Sequence, residues 1–225
     1  MDSTPRETGR FRRAAIIVAG FTTLLWLIHG LAVAGGWDLA TLGVRPRVAA
    51  GLVGVVTAPL VHGSAGHLFS NTLPLLVLGT ALLFGSPRAA RVVVPIVWLG
   101  SGMAVWLFAR PAAHIGASGL AYGMMTFVFL AGVLRRDPRS VALALIVFFL
   151  HGSMIWGVLP LRAGVSFESH LAGSVLGLLC ALALRDRDGP RGRPRKYAWE
   201  GKEIDDEHPA AELFMDTDAG STRRE

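Results

Sequence analysis

Three short stretches carry the residue types of covalent catalysis. Ser118 sits among small residues in GASGLAYG (116–123), His170 lies in SHLAGSVLG (169–177), and His62, His67 and Asn71 lie in HGSAGHLFSN (62–71). A serine becomes a nucleophile when a base takes its proton, and the oxyanion that follows needs donors beside it. Asn71 can offer a side-chain amide and His67 a ring N–H. If Ser118 opens a helix, its own N–H lacks an intrahelical partner and carries partial positive charge. Each residue also has a plainer reading. Ser118 could cap or pack a helix, His170 could bond a loop carbonyl, and histidines held together could ligate zinc. The HExxH signature of zinc proteases is missing. A paired-carboxylate site is also missing, because Asp38, Asp137 and Glu168 are the only acidic residues between 14 and 184, all in loops or at a helix end.

The elements that hold these residues follow from where charge is absent. The chain has 225 residues, 52% hydrophobic and 17% charged, against about 25% charged for soluble domains. No Asp, Glu, Lys or Arg occurs in 14–37, 48–87, 92–109, 111–134, 140–161 or 169–184. Each stretch holds an apolar run near the ~17–25 residues of a membrane-spanning helix. Six transmembrane helices are predicted, near 14–34, 67–84, 92–109, 117–134, 141–158 and 168–184. The fold class is an all-α membrane bundle. The first segment follows Arg6, Arg10, Arg12 and Arg13 and contains Ala-Val-Ala at 32–34, like a secretory signal. Its apolar run exceeds a signal's ~7–15 residues, so it is read as a retained helix.

The net charge of +6 does not point to nucleic acid, because of how it is distributed. With the N-terminus placed in the cytoplasm, all of the 22 Lys and Arg except Arg45, Arg47, Arg110 and Arg162 fall on the inner side. That is the positive-inside pattern, with both termini cytoplasmic. The run RDRDGPRGRPRK at 185–196 then faces anionic headgroups of the bilayer. Twenty Arg against two Lys, with many Ala and Gly, suits a GC-rich bacterial genome and hence a bacterial plasma membrane. The single cysteine, Cys180, allows no intrachain disulfide and reads as packing.

Residues 1–12 are expected to form a disordered cytoplasmic tail, 13–184 the six-helix domain, and 185–225 a mostly disordered tail. The long connection 35–66 is apolar in its second half and should lie against the membrane as short helical pieces. No internal repeat of the kind that builds many transporters is visible.

In this topology the second, fourth and sixth helices all start at the outer face. His62, His67, Asn71, Ser118 and His170 then lie within roughly 10 Å of one surface, at 1.5 Å of rise per residue. His67 and Asn71 share a face at i, i+4, as do Ser118 and Tyr122. Gly116, Gly119 and Gly123 on one helix and Gly173 and Gly177 on another are small-residue stripes that permit close approach. That approach could bring the Ser118 hydroxyl to the His170 ring.

Together the three motifs resemble the rhomboid family of intramembrane serine proteases, in order, spacing and topology over most of 14–184. The resemblance implies a six-helix rhomboid-like bundle with a long outer loop between its first two helices. It implies that Ser118 is the nucleophile, that His170 is the general base, and that His67, Asn71 and the Ser118 N–H form the oxyanion hole. His62, Gly116, Gly119, Tyr122 and Gly173 are supporting residues, with Tyr122 the aromatic on which the catalytic imidazole stacks. A Ser–His dyad calls for no cofactor and no metal. The implied partners are transmembrane protein substrates cleaved near the outer leaflet. The Trp-Arg pair that many members carry in the first long loop has no counterpart by position, where Trp37-Asp38 stands. The rival functions are a non-proteolytic module that binds membrane-protein clients and a small transporter or metal-binding channel.

The charge distribution makes a direct prediction. Reporter fusions after residue 110 should read outside and fusions after 137 or 190 inside. A C-terminal fusion reading outside would overturn the helix count and with it the common depth of the polar residues.

Overall fold

The computed structural model describes residues 5–136, 138–161 and 164–188, and everything structural below concerns these. Its helices are α1 (Pro5–Gly35), α2 (Gly54–Thr57), α3 (Ala65–Gly85), α4 (Pro87–Phe108), α5 (Ser118–Arg135), α6 (Pro138–His151) and α7 (Phe167–Leu184). Six of the described segments are long and apolar enough to cross a membrane, with α6 counted together with the 3₁₀ stretch Gly152–Val158 that continues it. The bundle is all-helical, as the sequence predicts.

α5 is the central helix. More than half of its span is buried (56%), against 17–39% for the others. It packs against α3, α4, α6 and α7, and α1 packs on α3. Phe127, Leu68, Leu75, Leu78, Leu82, Val93 and Val97 fill the interior. The α5–α7 contact is backbone against backbone. A Cβ on Gly173 would overlap the Gly119 carbonyl, and one on Gly177 would overlap the Gly123 carbonyl. Lipid offers helices no apolar driving force for association, so this close fit is what joins them.

Two helix starts differ most from the sequence expectation. α1 begins at Pro5, so residues 5–12 are helical and not a disordered tail. The reason is a docking site on α3: Arg10 Nη2 donates to the Phe84 carbonyl at 2.9 Å, and Phe11 meets the Phe84 ring edge-on. α4 begins at Pro87 rather than 92. Asp188, in a 3₁₀ turn that prolongs α7, accepts from the N–H groups of Arg88 (2.9 Å) and Ala89 (2.7 Å). A carboxylate there satisfies orphan donors of the first turn and complements the helix dipole. The tail from 189 onward, including any helix in YAWEGKEIDDEHPAAELFMD, lies outside the described residues, as do residues 1–4.

The long connection forms short helical pieces, as expected: 3₁₀ turns at Leu39–Leu42, Ala49–Val53 and Ala58–Leu60 around α2. Irregular backbone at a membrane must find protein partners for its polar groups, and α4 supplies them. The indoles of Trp98 and Trp106 donate to the Val56 and Val48 carbonyls, at 3.0 and 2.9 Å. Arg47 Nη1 donates to the Leu107 and Ala109 carbonyls (3.3 and 3.0 Å) at the α4 C-terminus, where a cation is favoured. Val44 and His114 exchange both backbone hydrogen bonds at 2.9 Å, tying the connection to the loop before α5. One arginine and two α4 tryptophans thus anchor a loop that lacks a positional Trp-Arg pair.

Gly177→Ala should destabilise the bundle by at least ~1–3 kcal/mol through overpacking, read as a lower thermal unfolding midpoint in detergent. An unchanged midpoint would contradict the backbone contact between α5 and α7.

Candidate active site

The glycine contact carries Ser118, the first residue of α5, to His170 in the first turn of α7. Ser118 Oγ lies 2.8 Å from His170 Nε2. His170 Nδ1 lies 2.8 Å from the Gly157 carbonyl oxygen. A carbonyl only accepts, so the proton sits on Nδ1 and the Nε2 lone pair faces the serine hydroxyl. The imidazole stacks on Tyr122 with centroids 4.1 Å apart and planes 8° from parallel, which fixes its remaining rotation. Gly157 lies so close to this stack that a Cβ there would overlap the Tyr122 hydroxyl. His170 and Tyr122 are 7% and 5% exposed, so the pair works away from bulk water.

On the other side of Ser118, Gly116 has φ +108°, a conformation glycine adopts at little cost. Its missing side chain makes room for α3: a Cβ would lie 2.6 Å from His67 Cε1 and 3.7 Å from Asn71 Nδ2. The His67 ring and the Asn71 amide therefore rest against the backbone that leads into Ser118. Asn71 is buried, and its Nδ2 donates to the His67 carbonyl at a long 3.3 Å, a weak bond open to exchange. Ser64 caps α3 by accepting from the His67 N–H at 3.1 Å, which sets the helix start just ahead of both residues.

His62 sits beneath this strand of chain. Its Nε2 accepts from the Ala117 N–H at 3.4 Å, and its ring meets that of His67 edge to face at 5.1 Å. Burial, then the nearby His67 and His29, push its pKa down to about 3, so it is a neutral acceptor at physiological pH. Among the described residues no third donor joins His62 and His67 as a metal-ligand set.

The structure thus brings together every predicted residue. His62, His67 and Asn71 meet Gly116–Ala117, and Ser118, Tyr122 and His170 form one stack. Gly119 faces Gly173 and also Ser169 and Ser101. What sequence reading missed is the Gly157 carbonyl, which orients the His170 ring. It comes from the 3₁₀ stretch after α6, where a straight helix was expected to 158. An apolar run with two glycines, Gly152 and Gly157, gives only a faint hint of such a break. Also missed were the loop ties His114 Nδ1–Ser166 Oγ (2.7 Å) and Arg110–Glu168 (3.6 Å), which hold the starts of α5 and α7 level.

Six apolar spans around a half-buried serine and a buried histidine, hydrogen-bonded at the starts of two facing helices, define a multi-pass membrane protein with a Ser–His pair. A family model for the rhomboid domain matches residues 49–187. Uncharacterised proteins of Mycobacterium tuberculosis and Mycobacterium bovis are each 35% identical over 173 residues, 73% of this chain and 72% of theirs. One of Mycobacterium leprae is 32% identical over 192 residues, 79% of this chain and 76% of its own. The chain belongs to the rhomboid family.

The low pKa of His62 has a thermodynamic consequence. An unfolded histidine titrates near 6.5, and the folded one only near 3. Stability is therefore complete above pH 6.5 and declines as pH falls toward 3, by up to ~1.4 kcal/mol per pH unit. His62→Gln, which keeps an acceptor but cannot titrate, should show a flatter decline of the unfolding midpoint between pH 6.5 and 4. Equal slopes for the variant and the native chain would contradict a buried neutral His62.

Proposed function

We propose that the chain is an intramembrane serine endopeptidase that cleaves transmembrane or membrane-adjacent segments of other membrane proteins. The observation that carries this reading is the hydrogen bond from Ser118 Oγ to an imidazole whose other nitrogen is fixed by the Gly157 carbonyl. Ser118 Oγ attacks the scissile carbonyl carbon and its proton passes to His170 Nε2. The tetrahedral oxyanion is held by the Ser118 N–H, the Asn71 amide, which exchanges its weak bond to the His67 carbonyl, and the His67 ring. The imidazolium returns the proton to the leaving amine, and the C–N bond breaks to leave an acyl-serine. Water, deprotonated by His170, then releases the acid and restores the serine. The Gly157 carbonyl stabilises the transient imidazolium by accepting from Nδ1–H, the task a third, acidic residue performs in a triad.

With both termini in the cytoplasm, the site lies toward the outer leaflet, where water for hydrolysis is close. A substrate helix must unwind there, since its own backbone hydrogen bonds protect the scissile carbonyl. α6 is the natural side of entry. Its span is the least buried of the six (17%), and it leads directly into the stretch that carries Gly157. The working unit is the six-helix domain, 13–184 by sequence.

Turnover of a model transmembrane substrate tests the roles one by one. Ser118→Ala and His170→Ala should abolish cleavage. Asn71→Ala should retain a residue of activity, because one lost oxyanion donor costs on the order of 10²–10³ in rate and two donors remain. Cleavage surviving in Ser118→Ala would sink the serine mechanism. Lost activity with an equal loss of thermal stability in Asn71→Ala would make Asn71 a structural bridge.

A further inference from the structure

Away from α6, where α4 packs on α7, a groove of about 710 Å³ opens beside Arg47, Arg110 and Glu168, within the ~300–1,000 Å³ of small-ligand sites. Its walls below these charges are apolar and include Ala104, Phe108, Leu171 and Val175. Gly100 closes the far end against Leu176, where a Cβ would come within 2.8 Å of the leucine methyl. From Glu168 to Leu176 the helix rises about 12 Å, and half of a bilayer's hydrocarbon core is about 15 Å. The groove is therefore one leaflet deep. It suits an acyl chain and is too short for a spanning helix.

The charged mouth is incompletely paired. Glu168 Oε1 accepts from the Arg110 backbone N–H at 3.4 Å, but the Arg110 guanidinium, 42% exposed, sits 3.6 Å away, too far for a hydrogen bond, and spends Nη2 on the Val165 carbonyl. Glu168 Oε2 is buried with no hydrogen-bond partner, and a carboxylate oxygen without a donor is costly. A ligand that completes this site brings an anion for the arginines, an N–H donor for the carboxylate, and an apolar chain below them. We propose that the groove binds a phosphatidylethanolamine-type lipid from the leaflet at the Ser118 end. Its phosphate meets Arg110 and Arg47, its primary ammonium donates to Glu168 once that side chain turns Oε2 toward the groove, and one acyl chain lies along Ala104 and Val175. A choline headgroup has no N–H to give, and a glycerol headgroup has no positive charge. Glu168 is two residues before His170, so the bound lipid would steady the turn that carries the histidine.

Thermal unfolding of the delipidated full chain in detergent tests this without reference to proteolysis. Ethanolamine, choline and glycerol phospholipids of identical acyl chains are titrated in turn. The ethanolamine lipid should raise the midpoint with an apparent Kd about tenfold below the other two. Glu168→Gln should erase that preference. Ala104→Phe should keep the lipid-free midpoint and lose the shift. Val175→Phe, at a site 45% exposed, blocks the same wall and serves if Ala104→Phe does not fold. Equal shifts from the three lipids, a stronger shift from the glycerol lipid, or an ethanolamine shift intact in the folded wall variant would each overturn the proposal.

Discussion

Gly119 and Gly123 on α5 meet Gly173 and Gly177 on α7 with no side chain between them, and the position of Ser118 relative to His170 follows from that contact. A side chain at Gly173 or Gly177 would overlap a backbone carbonyl of α5, so the two helices could not keep this spacing. The pair is therefore set by backbone packing along two helices and not by local loop geometry. This suits a membrane interior, where apolar burial does not distinguish a helix neighbour from a lipid tail and close packing must do so.

Around that contact, the non-helical backbone is organised so that few polar groups are left without partners. The connection 35–66 bonds to α4 through Arg47, Trp98 and Trp106. Gly116 N–H donates to the Ala58 carbonyl at 2.8 Å, and Ala117 N–H donates to His62. The N–H groups just before Ser118 are thus occupied, while Ser118, as the first helical residue, has one with no intrahelical acceptor. At the opposite end, Asp188 caps α4 and Arg135 bonds the Arg185 carbonyl and Ser86 Oγ, so the two ends of α7 are both fixed.

Much of this is legible in the sequence, for a physical reason. A bilayer forces helices of nearly fixed length, so stretches without charge reveal the spans, and Arg counts order their ends. Polar residues at the starts of alternate spans then fall at one depth. What stays hidden is what depends on the path of irregular backbone. The change from α-helix to 3₁₀ at Gly152 turns the Gly157 carbonyl toward His170, and no side-chain pattern encodes that. The start of α1 at Pro5 was hidden in the same way, since it depends on Arg10 reaching a carbonyl 74 residues away on α3. The anchoring of the outer loop by Arg47 also escapes a motif comparison, because its acceptors are carbonyls of a different helix.

The central claim is that Ser118 is an activated nucleophile because His170 is oriented as its base. Intact-mass spectrometry with peptide mapping, after exposure to a fluorophosphonate, tests it at the atom concerned. One adduct per chain is predicted, on the peptide containing Ser118, and it should be absent in His170→Ala. An adduct on Ser101 or Ser169, or equal labelling of Ser118 without His170, would contradict the account.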